Sequence, residues 1–311
     1  MIKKIIFKII SKKRIEFLRS NPFFTNGKFR DKIVDIQKYI NINDKSIGNE
    51  PETSVLLSRK FAHIIDKGLH RRDVQAGHSK SIELALNKNL NCINSNNYLK
   101  DESIIWAEEK HKLYLNLQES KSIEELAENP ENPEINFDSF LKFIKNRRSN
   151  RQFTSDLVSD EILLKLAETI NWAASSCNKQ PNKIFITNNP NLASECLKQC
   201  KGGTGFSREI PCFVSFCVDM RGYYLPHEMY LPHIDASLGA QNFYLALQTF
   251  NLSGTSLSWA LKDDKEERKL RELLNIPDYY QIIFNSVIGY ASKNYITPSR
   301  KSINSSISII K

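Results

Sequence analysis

None of the six cysteines (Cys92, Cys177, Cys196, Cys200, Cys212 and Cys217) forms a CxxC pair, and no histidine stands near them at metal-ligand spacing. No metal site is expected, and the thiols read as small buried hydrophobes of a reducing compartment. Long apolar runs are missing as well. The run that opens the chain is broken by Lys8, is too short to span a bilayer, and lacks the small-residue cleavage site of a signal peptide. There is no internal repeat, no long low-complexity tract and no dinucleotide fingerprint.

What is present is a skewed charge distribution. The formal net charge is +9, but the first thirty residues hold nine cations against one acid, Glu16. The remainder is close to neutral, so the basic pI describes an arm and not a nucleic-acid-binding surface. In that arm Ile2, Ile5, Ile6, Ile9 and Ile10 share one helical face with lysines opposite. It reads as a core-packed terminal helix, or as a weak membrane-surface contact through residues 1–20 in a cytoplasmic protein, peripheral at the inner membrane surface.

The 311 residues, 41% of them apolar, suffice for one large domain or two ordinary ones. Asn129-Pro130-Glu131-Asn132-Pro133-Glu134 reads as the core of a linker over 129–136. Before it, residues 1–128 form a helical region, with helical periodicity over Ser54–Asp66, Ser81–Leu90 and Ser103–Leu117. After it, residues 137–311 mix helices and strands. Helices are expected at Asp138–Asn146, from a cap at Ser159, at Asn191–Cys200, at Ile234–Phe250 and at Asp264–Leu274. Strands are expected at Lys183–Thr187, Ile210–Val218 and Gln281–Tyr290. The fold class is α+β.

Five local constellations could carry chemistry. Arg147-Arg148-Ser149-Asn150-Arg151 places two guanidiniums and a hydroxyl on one side, able to hold a phosphate through charge-assisted hydrogen bonds. Ala174-Ser175-Ser176-Cys177-Asn178-Lys179-Gln180-Pro181 supplies short hydroxyl and amide groups suited to a polyhydroxyl chain or a heteroaromatic edge. Asp235 to Asn242 combines small residues with Gln241 and Asn242, polar groups that need partners if buried. Ser253-Gly254-Thr255-Ser256 reads as a glycine turn that lets main-chain N–H groups face a ligand. Ile288-Gly289-Tyr290 ends a strand, and Arg300 follows ten residues after Tyr290.

Taken in order, these five features over about residues 138–305 resemble the nitroreductase-like family of FMN-dependent oxidoreductases. The resemblance implies a central, mainly antiparallel sheet flanked by helices, here preceded by a helical N-terminal region. It implies flavin contacts from Arg147, Arg148, Ser149 and Arg151, with Arg300 joining the phosphate site and the turn at Gly254 and Thr255 beside the isoalloxazine. Ser175, Ser176, Asn178 and Gln180 match a loop that in such proteins reaches the flavin of the other subunit, in a homodimer with flavin at the interface. The implied cofactor is FMN, with NADH or NADPH as co-substrate and an unidentified small-molecule acceptor. The alternatives are a flavin dehydrogenase or oxidase for a dedicated biosynthetic substrate, cell-surface polysaccharide substrates among them, and a membrane-docked or partner-binding module with the fold but without turnover. His63-Ile64-Ile65-Asp66-Lys67-Gly68-Leu69 is similar to a segment of longer family members, and equally reads as a helix end capped by Gly68. Four positions depart from the family: Ala174 where proline is usual, Asn182 for tryptophan, Ser237 for glycine, and Asn251-Leu252-Ser253 for Gly-Leu-Gly. The last three lie where they alter the surroundings of the flavin ring more than the phosphate contacts.

Overall fold

A computed structural model describes residues 50–71, 77–119, 133–203, 205–206, 210–223, 225–259, 264–293 and 295–311. The basic arm at residues 1–20 and the linker residues 129–132 lie outside these. The chain divides into two compact units.

The first unit combines the described residues up to 119 with Met220–Pro232. Its helices are α1 (Pro51–Leu69), α2 (Lys80–Ser95) and α3 (Glu102–Gln118). Pro51 opens α1, where its missing N–H costs no helical bond, and the Asp101 side chain caps α3 by accepting from the Ile104 amide. The three- and four-residue spacing places Leu56, Ala62 and Ile65 of α1, Leu86, Leu90 and Ile93 of α2, and Ile104, Ala107 and Tyr114 of α3 in one buried core. Gly68 is not the cap of α1. The helix runs on to Leu69 with His70 as its cap, and Gly68 leaves space for a histidine: a Cβ there would sit 2.5 Å from His78 Nε2. Asp66 lies 2.9 Å from Lys110 Nζ. The buried Lys60 ammonium donates to Glu228 Oε1 at 3.2 Å, tying Met220–Pro232 into this unit by a buried ion pair.

The second unit holds a four-stranded antiparallel sheet: β1 (Asn182–Thr187), β2 (Cys212–Asp219), β3 (Leu252–Leu257) and β4 (Tyr280–Tyr290), in the order β1-β2-β4-β3. Around it lie α4 (Phe137–Asn146), α5 (Asp160–Asn171), α6 (Pro190–Lys198), α7 (Leu231–Ala246) and α8 (Asp264–Leu274). Every residue of β2 is buried, as its unbroken apolar run requires. Period-2 alternation sends Phe213 and Cys217 into a cluster with Cys196 and Leu270, and Val214 and Phe216 into another with Leu166, Ile170 and Phe243. Ser159 caps α5 by accepting from the Ile162 amide.

Two expectations are corrected here. Ser253–Ser256 is not a turn but part of β3, with Gly254 and Thr255 opposite Ile288 and Val287 of β4. Small and polar residues give little strand signal, and pairing with an apolar neighbour supplies what local preference lacks. The helix from Ile234 does not continue to Phe250; α7 ends at Ala246 and tightens into a 3₁₀ turn over Leu247–Phe250, with Asn251 in the left-handed region at φ 56°.

Gly289 is a packing glycine, since a Cβ there would meet Pro211 Cγ at 2.3 Å and Phe153 Cδ1 at 3.0 Å. Gly289→Ala is expected to cost about 1–3 kcal/mol, the usual penalty for overfilling a packed core, read as a lower urea midpoint. The thiols divide sharply. Burial pushes Cys196, Cys200 and Cys217 up to about 12, and Cys212 further still, whereas Cys92 and Cys177 are half-buried. A maleimide at pH 7.5 is therefore expected to label Cys92 and Cys177 of the native protein quickly and the other four only on unfolding.

Candidate functional site

The site is built where the chain leaves α4. Arg147, at the C-terminal cap of that helix, has extended backbone at φ −59° and ψ 128°. The chain then runs beside the end of β4. The Thr154 amide donates to Tyr290 O and the Ser292 amide to Gln152 O, both at 2.9 Å, and Phe153 bridges Ala291. Asn150, 2% exposed, fastens this segment. Its amide donates to Lys293 O at 3.0 Å and accepts from the Gln152 amide at 2.9 Å, while its own carbonyl accepts from Thr255 Oγ1.

Two adjoining cavities, of about 290 and 280 Å³, share Arg147, Tyr244 and Gly254. The first is also lined by Arg148, Gln248 and Lys293, the second by Ser149, Ser237, Gln241 and Ser256. Among the described residues no acidic side chain lines either. Burial, then the neighbouring Arg148 and Arg300, pull the Arg147 pKa down, so its charge stands in an uncompensated positive field. Such a cleft favours an anionic, acceptor-rich ligand.

The residues singled out in the sequence separate into four groups. Arg147, Arg148, Ser149 and Gly254 line the cavities. The Arg148 guanidinium is already engaged by Arg147 O, Lys145 O and, at 2.8 Å, Thr297 Oγ1, so it shapes the field and fastens the C-terminal tail. Thr255 turns its hydroxyl to Asn150 and serves as a pin. Arg300 is exposed, bonded to its own tail at Pro298 O and Ser299 O, and acts on Arg147 through space; Arg151 is exposed and outside both linings.

Ser175, Ser176, Asn178 and Gln180 stand apart, lining neither cavity of their own chain. They form a tight loop with Cys177, Asn178 and Gln180 at φ 52°, 51° and 50°. Asp235, 1% exposed, holds it: the Ser176 amide and hydroxyl both donate to Asp235 Oδ1, at 3.0 and 2.9 Å. The Gln180 amide donates to Ser175 Oγ at 3.0 Å, and Asn182 Nδ2 donates to Asp235 O at 3.0 Å. Sequence reading missed three functional positions. Asn150 and Asp235 lay inside quoted motifs without a role, and Tyr244 carried no signal, because its neighbourhood with Arg147 exists only after folding.

Asp235→Ala removes the acceptor that stabilises three left-handed residues. We expect a loss of about 1–3 kcal/mol in urea unfolding, the cost of stranding buried donors, with faster proteolytic cleavage at 175–180 than in the unaltered chain.

The nitroreductase family profile matches residues 144–205, which span the arginine segment, α5, the Ser-Ser loop and β1. A protein of Archaeoglobus fulgidus assigned as an NADH dehydrogenase/NAD(P)H nitroreductase is 28% identical over 155 residues, 48% of this chain and 84% of that protein. An FMN reductase (NADPH) of Bacillus subtilis is 26% identical over 165 residues, 48% of this chain and 65% of its own length. In structure, a nitroreductase-like protein from Streptococcus mutans superposes with a TM-score of 0.50 at 16% identity, covering 57% of this chain and all (100%) of that one. With the arginine segment, the Ser-Ser loop and the antiparallel sheet all in place, the second unit has a nitroreductase-like fold, and its residues 144–205 are similar to the nitroreductase family.

Proposed function

We propose that this protein is an FMN-dependent oxidoreductase that takes electrons from NADH or NADPH and delivers them to a small-molecule acceptor. The observation that carries the reading is the cleft around Arg147: a half-buried guanidinium beside two further arginines, hydroxyl and amide donors, and no acid in the lining among the described residues. These residues fit FMN, whose phosphate needs cationic donors and whose ribityl chain and ring edge need hydroxyl and amide partners. The Bacillus subtilis relative, named as an FMN reductase (NADPH), supports the same cofactor and reductant.

In this reading Arg147 and Ser149 hold the phosphate and ribityl chain, Arg148 and Arg300 reinforce the field, and β3 at Gly254 sets the floor. Bound flavin would supply the redox chemistry, accepting hydride at N5 and passing electrons on. The protein positions the flavin and sets its electrostatic surroundings.

The loop at Ser175, Ser176, Asn178 and Gln180 is absent from the cleft of its own chain, which favours a homodimer in which it completes the neighbour's site. Phe137, Phe140, Leu164, Trp172, Ile234 and Leu238 of the second unit leave 72%, 47%, 73%, 82%, 51% and 44% of their surface exposed, an apolar load suited to such an interface.

Protein purified with excess FMN is expected to be yellow, to release one FMN per chain on denaturation and to elute as a dimer. Arg147→Ala is expected to lose the flavin on gel filtration while keeping its fold by circular dichroism. A colourless unaltered protein under those conditions would overturn the assignment, and flavin bleaching by NADH or NADPH in stopped flow tests the reductant.

A further inference from the structure

Tyr244 is a polar side chain of the cleft to which the sequence motifs gave no role. It lies on α7, 9% exposed, and lines both cavities together with Arg147. Its ring packs edge-on to Phe243 at 6.2 Å and tilted against Phe216 at 6.0 Å, which fixes the plane of the phenol. Ser256 Oγ on β3 donates to Tyr244 Oη at 2.8 Å. The Ser286 hydroxyl of β4 also lies within hydrogen-bond reach of the phenol, so Tyr244 Oη sits between two serine hydroxyls where it borders the cleft. The phenol is thus steadied by β3 and β4 at a cleft that otherwise offers cations and hydroxyls, and a hydroxyl there can turn its O–H toward a ligand beside Arg147.

We propose that Tyr244 is a ligand-binding residue, the neutral hydrogen-bond donor that works beside Arg147 on the acceptor-rich ligand of this cleft, with Ser256 setting the direction of its O–H. The inference rests on the FMN reading and adds to it a residue that helps set affinity. Burial pushes the phenol up from its ordinary value, against the weaker pull of the Ser256 and Ser286 hydroxyls and of Arg147, so it keeps its proton at neutral pH. Its role is to donate to an acceptor and not to ionise. Serine at 256 makes the arrangement possible, since a residue without a donor there would leave the phenol free to rotate.

The test compares FMN binding, by quenching of flavin fluorescence, in the full chain and in Tyr244→Phe and Ser256→Ala. Phenylalanine keeps the packing on Phe216 and Phe243 and removes only the hydroxyl. Loss of one hydrogen bond to a charged or strongly polar acceptor is expected to raise the FMN Kd about tenfold or more in Tyr244→Phe. Ser256→Ala is expected to raise it by a smaller factor, and the melting temperature of the flavin-free protein should stay within about 2 °C for both. An unchanged Kd in Tyr244→Phe, with the unaltered chain binding FMN, would overturn the role of Tyr244 and leave the flavin reading standing. A fall in flavin-free stability that accounts for the whole affinity loss would also overturn it, making the hydroxyl a packing feature. Failure of the unaltered chain to bind FMN would remove the flavin reading and this inference together.

Discussion

Much of the second unit's chemistry depends on one buried amide. Asn150 donates to Lys293 O, accepts from the Gln152 amide, and offers its carbonyl to Thr255 Oγ1. These three bonds fix a segment with no helix or long strand of its own, and they do so between two strands that the sheet already holds in register. The guanidinium of Arg147 and the hydroxyl of Ser149 inherit their positions from that anchorage. A cation so placed, partly out of water and beside like charges, is costly to the apo protein and favourable only toward an anion. The same pattern recurs at the second loop, where a buried carboxylate, Asp235, holds three residues in a backbone region that side chains disfavour.

Much of this was legible in the amino-acid order. The uninterrupted apolar run of β2, the Ser159 cap and the charged periodicity of α8 are local signals, and the elements form where those signals put them. The arginine segment and the Ser-Ser loop were legible because short polar side chains at fixed spacing between regular elements have few structural uses. β3 was not, since Ser253, Gly254, Thr255 and Ser256 resemble a turn until β4 is laid beside them. Nor was Tyr244, which stands in an apolar helix and gains its meaning only from Ser256 on β3, twelve residues further along. Arg151 illustrates the converse: its spacing from Arg147 suggested a shared face, but the bend at Arg147 and the pinning at Asn150 send it to solvent.

The departures from the family pattern also acquire physical content. Asn182, where tryptophan is usual, bonds the backbone of Asp235, and Gly239 must lack a side chain because a Cβ there would lie 2.8 Å from Asn182 Nδ2 and from Ile170 Cγ2. Asparagine and glycine form a matched pair, so the substitution is accommodated by the neighbouring helix. Ser237, in place of glycine, turns its hydroxyl back to His233 O, adding bulk to the second cavity without a free donor. Both changes bear on the shape of the cleft more than on its charge.

Met220–Pro232 belongs to the helical unit, yet in the chain it separates β2 from α7. The helical unit is therefore assembled from two stretches of sequence, and its charged interior includes Glu228, a residue encoded well inside the sheet-bearing part. Cutting the gene at the linker would yield two pieces, each missing something: one with Lys60 but without Glu228, the other with the Met220–Pro232 crossover cut off from the helices it belongs with. A domain joined in this interleaved way is hard to gain or lose by simple end-to-end fusion.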